Sequence, residues 1–472
     1  MKIQALFLSA ALLLNGVTLF AQESTENAPQ KAEATATRTV PQPRYVDRPR
    51  NAIGIGAGIT KLFRLTDGPV PLFGENLENA DFPEGSWELN DQKELCANKD
   101  AVIWTKEKYS AFLCSFDFNL SEGANGGFLF QCSDKNNWIP NTIEIQLLDD
   151  AGQEPNYHSC GAFYGFQAPY VNATKKPGEW NTMTIVCEGR LVSVALNGKL
   201  VNRIDTAEWF NPAVGPDGTE IEEKFRGKTL ASFEPYGYIG FQGLHGNAPI
   251  KIRNVQFSPI RNADTTQEGW RSCFGDKLEN ADFDPAVWSI DEDGILRANK
   301  DEMIWLKDEY KNFKLDFEFR TTKDANSGVV IQATDRANWI PNSLEVQIYD
   351  SFGKAADLGS CGAIYGRRAP DFNVCKAPGE WNHMTISVLG PDIYVVLNDQ
   401  LTTHMLKSQW KKADENPDGS KPFSWLINKA PAETPLVGSV GFQGLHEKNP
   451  VEYRNIMIWG KPIAKPETDE NK

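Results

Sequence analysis

Two six-residue strings place ionisable and amide side chains at strand spacing. They are Glu-Ile-Gln-Leu-Leu-Asp at 144–149 and Glu-Val-Gln-Ile-Tyr-Asp at 345–350. With a period of two, Glu144 and Gln146 share one face and Ile145 and Leu147 the other. Glu345 and Gln347 stand against Val346 and Ile348 in the same way. Asp149 and Asp350 end the strings, where a turn could bring them to the same rim. The string GFQGLH, at 240–245 and 441–446, adds Gln242 with His245 and Gln443 with His446. Tyr164 and Tyr365 follow two SCGA strings, and Trp138 and Trp339 precede the Glu-bearing strings. An indole stacks on a sugar face, carboxylates and amides bind hydroxyls, and an imidazole moves a proton. The set suits a sugar-handling cleft. It also suits a solvated sheet face beside a loop histidine, and the residues alone leave both readings open. His158, His383 and His404 have no His counterpart in the sister strings (Gly359, Thr182 and Arg203) and carry less weight.

These residues recur because the chain is a tandem duplication. LENADF, NWIPN, SCGA, PGEWN and GFQGLH each occur twice, always 201 residues apart. A constant offset means no net insertion between copies. Each copy has the length of a domain rather than of a solenoid unit. The sequence divides into a signal peptide (1–21), a disordered linker (22–66), a first sandwich (67–260), a second sandwich (267–461) and a tail (462–472).

The elements that must position the strings are strands. At 313–320, Phe313, Leu315, Phe317 and Phe319 alternate with Lys314, Asp316, Glu318 and Arg320, the period of a half-buried strand. Phe112, Cys114, Phe116 and Phe118 repeat the pattern. Leu191 to Leu196 followed by Asn197-Gly198 predicts a hairpin with a type I′ turn. In PGEWN the Pro-Gly turn starts a strand and places Trp180 or Trp381 in the core. Only short helical turns, near Trp209 and Trp410, are expected. The fold class is all-β, two β-sandwiches in tandem.

Composition removes other classes. The formal charge is −15 with a pI near 5.0, so no basic footprint for nucleic acid exists. Lys2, an apolar run from Ala5 to Phe20 and the small Ala21 read as a cleaved secretory signal. The protein is expected to be exported, periplasmic or extracellular, with no membrane insertion after cleavage. Eight cysteines include no C-x-x-C pair, and six lack a Cys counterpart in the sister copy. Buried thiols are expected rather than a disulfide framework. G-x-S-x-G, H-E-x-x-H, P-loop and EF-hand strings are missing. GIGAG at 54–58 lacks the third-glycine spacing of a dinucleotide fingerprint, so no nucleotide cofactor is expected.

Taken in order, Asn326-Ser327-Gly328, EVQIYD (345–350), Gly362 to Gly366, PGEWN (378–382), GFQGLH (441–446) and Arg454-Asn455-Ile456 resemble the 3-keto-disaccharide hydrolase family. The resemblance covers about 72–257 and 274–458. It implies concanavalin-like jelly rolls with a sugar cleft, and exported proteins whose substrates are 3-keto-glycosides. In the implied chemistry the C3 carbonyl acidifies the C2 hydrogen. A base removes it, the C1 substituent leaves, and water adds to the resulting glycal. A divalent metal held by carboxylate and His, or hydrogen-bond donors alone, would serve the enolate oxygen. The candidates for catalysis are Glu345, Asp350, His446, Glu144, Asp149 and His245. Those for substrate binding are Gln347, Tyr365, Trp339, Gln443, Gln146, Tyr164, Trp138 and Gln242. Asn326-Ser327-Gly328 lies closer to the family pattern than Asn125-Gly126-Gly127, which favours the second copy as the catalytic one. The alternative is a non-catalytic, carbohydrate-binding pair of sandwiches.

Overall fold

The computed structural model describes residues 66, 68–426, 428–446 and 448–463. The expected signal peptide, the linker up to 65, the GIGAG string and residues 464–472 lie outside the described residues. Each copy folds as two antiparallel sheets packed face to face. In the first, a five-stranded sheet runs Ala80–Asp81, Ala101–Thr105, Tyr238–His245, Asn125–Cys132, Ile143–Leu148. Its partner runs Lys199–Asp205, Leu191–Leu196, Trp180–Glu188, Ala111–Leu120, Ile250–Pro259, Leu95–Ala97, Trp87–Leu89. The second copy repeats the five-stranded sheet as Ala281–Asp282, Met303–Tyr310, Gly438–Gln443, Asn326–Ala333, Leu344–Tyr349. Neighbours distant in sequence mark the crossovers of a jelly roll. Helical structure among the described residues is limited to short 3-10 turns, including Thr206–Glu208 and Lys407–Gln409 beside the two tryptophans.

Period-two alternation builds each core. Phe112, Cys114, Phe116 and Phe118 point inward, and Phe116 meets Phe128 and Phe241 at ring-centroid distances of 5.7 and 4.9 Å. Phe313, Leu315, Phe317 and Phe319 do the same in the second copy, with Phe317 5.2 Å from Phe442. Burying one such side chain is worth roughly 1.5–3 kcal/mol, so these facing rings dominate the cohesion of each sandwich. The predicted hairpin forms: Asn197 and Gly198 have φ of 51° and 80°, the left-handed pair of a type I′ turn. Asn398 and Asp399 make the same turn at 50° and 63°.

The PGEWN expectation needs correction. Trp180 and Trp381 are half-buried and lie outside both cores. Arg253 stacks on Trp180 at 3.7 Å, and Arg454 and Arg320 on Trp381 at 4.0 and 4.7 Å. The buried member is the following asparagine. Asn181 and Asn382 each accept an amide hydrogen bond from Lys175 and Lys376 respectively, and another from the Asn of the hairpin turn. The tail also begins ordered, with the Ile463 amide donating to the Glu309 carbonyl at 2.8 Å.

The polar faces of the larger sheets are only partly solvated, because the sandwiches abut there. Ala111, Leu113, Val186, Ala195 and Ile260 of the first meet Tyr394, Val396 and Leu401 of the second. The Leu401 amide donates to Ser110 Oγ at 2.7 Å, and Asn262 Nδ2 donates to Thr385 Oγ1 at 3.0 Å. Cutting the chain between the copies would bare this apolar surface. Residues 52–262 and 263–472 expressed apart should each give a β-type circular dichroism spectrum. Each should also self-associate on size-exclusion chromatography, which Leu113→Lys and Val396→Lys should relieve in the respective halves. Halves without β structure would mean that the two cores fold only together.

Candidate active site

The outer face of the second five-stranded sheet floors a cleft of about 680 Å³, a volume suited to a small ligand. Glu345 and Gln347 project into it from Leu344–Tyr349, while Leu344, Val346 and Ile348 face the core. Strand registry sets Gln443, Gly328 and Gln347 in a row across three strands. Gly328 makes room there: a Cβ at this position would displace the Glu345 carboxyl. Ser327, one residue earlier, points the other way and bonds Gln443 O and Tyr453 Oη at 2.7 Å each. Asn326 takes the Gln347 amide at 2.8 Å. Each residue of Asn-Ser-Gly therefore has a separate task.

Among the described residues, Glu345 forms no ion pair. Burial pushes its carboxyl up to about 8, and the negative charge of Asp301 adds to the shift. At neutral pH it is a neutral acid with a proton to give. His446 stands on the cleft rim, its side chain 41% exposed, with Nδ1 2.7 Å from Asp301 Oδ2. In the tautomer with hydrogen on Nδ1, Asp301 accepts that hydrogen and Nε2 carries the lone pair. Tyr365 is delivered by the segment after SCGA, which pairs along the Glu345 strand, the Tyr365 amide donating to Glu345 O at 2.9 Å. Trp339 packs with Trp305, Val330 and Ala333 on the floor. Phe423 and Trp425 extend the aromatic wall from Tyr365, with centroids 4.9 and 6.4 Å away, and Trp425 is 53% exposed.

The first copy keeps the floor and changes the wall. Gln146 bonds Asn125 at 2.9 Å, Gly127 makes room for Glu144, and His245 Nδ1 lies 2.9 Å from Asp100. Gln242 crosses to Gly127 in registry, and Trp138 packs on Trp104 at 6.3 Å. Burial pushes Glu144 up to about 8 as well, with Lys224 working the other way. Lys224 stands where the second copy has Trp425. It donates to Tyr164 Oη at 2.9 Å, lies 4.5 Å over that ring, and pairs with Glu222 at 3.3 Å. Glu222 also meets His158 Nε2 at 3.1 Å, so a histidine given little weight from sequence borders this wall.

Asp149 and Asp350 are not brought to the cleft. Asp350 is absent from its lining, and its carboxylate accepts the Asp324 amide at 3.0 Å. Asp149 holds the Gly123 amide at 3.0 Å in the same way. Both close the turn before the Asn-bearing strand. Asp301 does line the second cleft beside His446, as Asp100 stands beside His245 in the first. Their signal was present, since Ala-Asn-Lys-Asp stands at 97–100 and again at 298–301. Among the described residues, no three His, Cys, Asp or Glu side chains gather closely enough to hold a metal ion.

A family described as the 3-keto-alpha-glucoside-1,2-lyase-like domain matches residues 68–258 and again 259–459. The chain belongs to this family. Among solved structures, a candidate glycosyl hydrolase from Parabacteroides distasonis ATCC 8503 is 47% identical. The match covers 41% of this chain and 99% of that one, with a TM-score of 0.39. A second candidate glycosyl hydrolase from the same organism is 19% identical over 41% of this chain and 94% of its own, TM-score 0.33. The CBM66 carbohydrate-binding module of Bacillus subtilis is 13% identical over 38% and 95%, TM-score 0.24. No curated protein matches. The chain thus carries two tandem 3-keto-alpha-glucoside-1,2-lyase-like domains.

The environment of Glu345 has a thermodynamic signature. Its folded pKa lies above the unfolded value near 4.5. Stability is therefore full below about pH 4.5 and falls as pH rises towards 8, because only the unfolded chain ionises freely. Glu345→Gln removes that slope. The variant should equal the wild type near pH 4.5 and exceed it at pH 8 by on the order of 1–3 kcal/mol, read by denaturant titration at both pH values. Gly328→Ala should destabilise at every pH by displacing the carboxylate; a neutral Gly328→Ala would show that the cradle is not needed.

Proposed function

We propose that the second sandwich cleaves 3-keto-glycosides by C2 proton abstraction, elimination and hydration, outside the cytoplasm. One observation carries this reading: Glu345, whose carboxyl burial pushes up to about 8, and a histidine paired with Asp301 share one cleft. Elimination needs a base and an acid at once; burial favours the protonated acid at Glu345, and the imidazole beside it can serve as the base. His446 Nε2 takes the C2 hydrogen, and the electron pair moves into the C3 carbonyl as an enolate. As the enolate returns its electrons, the bond from C1 to the glycosidic oxygen breaks, and Glu345 protonates the departing oxygen. The product is the 3-keto-2-hydroxyglycal. In hydration, Glu345 as carboxylate takes a proton from water attacking C1, and the histidinium returns its proton to C2. Amide donors on Gln443 and Asn326 support the hydroxyls and the enolate oxygen. Trp339, Tyr365 and Trp425 supply stacking surface for the sugar rings.

A second reading applies to the first sandwich, where Lys224 covers the Tyr164 ring that the second copy leaves to its aromatic wall. Buried Gln146 Oε1 has no protein partner there and is placed to accept a hydroxyl. We infer that this copy binds glycan and contributes affinity rather than turnover.

The test is release of keto-sugar from a 3-keto-disaccharide by the full chain in deuterated water. The expected result is turnover with deuterium at C2 of the product. Glu345→Gln and His446→Ala should each lower kcat by roughly 10²–10⁴, and Glu144→Gln with His245→Ala should chiefly weaken binding. Because Glu345 must hold its proton, kcat should fall above about pH 8. Glycan binding without turnover would leave a tandem carbohydrate-binding protein.

A further inference from the structure

We propose that the second cleft selects a leaving sugar that carries a negative charge, held by the ammonium of Lys429. This rests on the reading of the second sandwich as the catalytic one and names the class of its substrate. The floor of the cleft has a direction. His446 pairs with Asn326 at one end, and Gly328 with Gln347 comes next. Glu345 follows, across from Val330 and Gly441, and Ser439 beside Ala333 closes the far end. Charge changes sign along this line. Asp301 and Glu302 line the cleft at the His446 end. The cations of the lining are Arg336, Arg367 and Lys429. Arg336 Nε donates to Ser439 Oγ at 2.8 Å, which fixes it at the far end. The chain leading into Gly438 lies there too, since Gln332 Nε2 donates to the Leu436 carbonyl at 3.4 Å.

Of these cations, Lys429 has the free head group. Arg336 meets Asp282 at 2.6 Å and the Leu306 carbonyl at 2.7 Å. Arg367 is 5% exposed and donates to the carbonyls of Ala413, Leu426 and Lys429. Among the described residues it pairs with no carboxylate, so its charge stands uncompensated under the loop that carries Lys429. Lys429 is exposed, and among the described residues its Nζ has no hydrogen-bond or ion-pair partner. The first copy shows the same lysine in a structural role. Lys228, its counterpart 201 residues earlier, donates to the Pro140 carbonyl at 2.6 Å and to Asn141 Oδ1 at 2.5 Å. It ties the wall loop to the NWIPN loop. Lys429 makes neither bond to Pro341 or Asn342, although Pro341 lines the same cleft. Its three hydrogens are left for a ligand.

The proposed elimination orients the substrate on this line. His446 acts at C2 and Glu345 at the glycosidic oxygen, so the leaving sugar extends beyond Glu345 towards Ser439. That is the positive end. A carboxylate or sulfate ester on that sugar meets the Lys429 ammonium, and Arg367 adds attraction from below. Asp301 and Glu302 repel the same anion, so charge also sets which way round a disaccharide lies.

Binding and turnover are measured separately on the full chain. Titration calorimetry compares a glucosyl-glucuronate disaccharide, a sulfate ester of glucosyl-glucose on its leaving sugar, and neutral glucosyl-glucose, all of one linkage. An anionic disaccharide should bind about tenfold more tightly than the neutral one at low ionic strength, and the margin should shrink as salt is raised. A margin for one anion only identifies the group that Lys429 reads. Lys429→Gln should abolish the margin and Lys429→Arg should keep it. Lys228→Gln should keep it as well, which places the effect in the second cleft. The 3-keto forms of the same disaccharides then report kcat/KM, where the anionic leaving sugar should show a similar advantage. Equal affinities for charged and neutral disaccharides, or a margin that survives in Lys429→Gln, would overturn the proposal. Tighter binding of an anion without turnover would overturn the hydrolase reading instead and leave the anion subsite standing.

Discussion

An ionisable carboxyl is held on a sheet with no cation bonded to it in the second copy, and the rest of the site is arranged around that constraint. A charged carboxylate half-buried among strands loses hydration that no neighbour replaces. Burial accordingly pushes its pKa up, to about 8. The arrangement persists because the surrounding strands are fixed by their cores. Val346 and Ile348 lock the strand from beneath, and Phe442 and Val329 lock its neighbours. Gly328 then leaves the space in which the carboxyl lies.

Duplication preserved this floor and released the wall. Glu, Gln, Asn, Gly and the His–Asp pair recur in both sandwiches at matching positions. The residues that differ are carried by loops above the sheet, where side chains can change without disturbing registry. Exchange of Trp425 for Lys224 converts an apolar platform into an ion-paired one. The floor fixes what a proton can do, and the wall fixes what the cleft can hold.

Much of this was legible in the sequence. A period of two placed Glu144 with Gln146 and Glu345 with Gln347 on one face, and the Asn-Gly pair fixed the hairpin. The Asp at the end of each string was misread because periodicity ends where a turn begins. Which way Asp350 turns depends on the Asp324 amide, which lies 26 residues earlier. Asp301 was missed for the converse reason, since it lies on a different strand connection from His446 and only the fold brings them together. Trp381 illustrates a third limit. An aromatic at strand period reads as core, yet a sheet has two faces, and arginines from neighbouring strands cover the outer one.

The contact between the sandwiches has a geometric consequence. Each copy uses its larger sheet to meet the other, through Leu113 and Val186 on one side and Tyr394 and Val396 on the other. The Glu-bearing sheets are the opposite faces of the two sandwiches, so their clefts open away from each other. A disaccharide held in one cleft is out of reach of the other. Only a long or branched glycan, or two separate glycan strands, can occupy both at once. The molecule is two-headed, with its two Glu-bearing floors back to back across the shared seam.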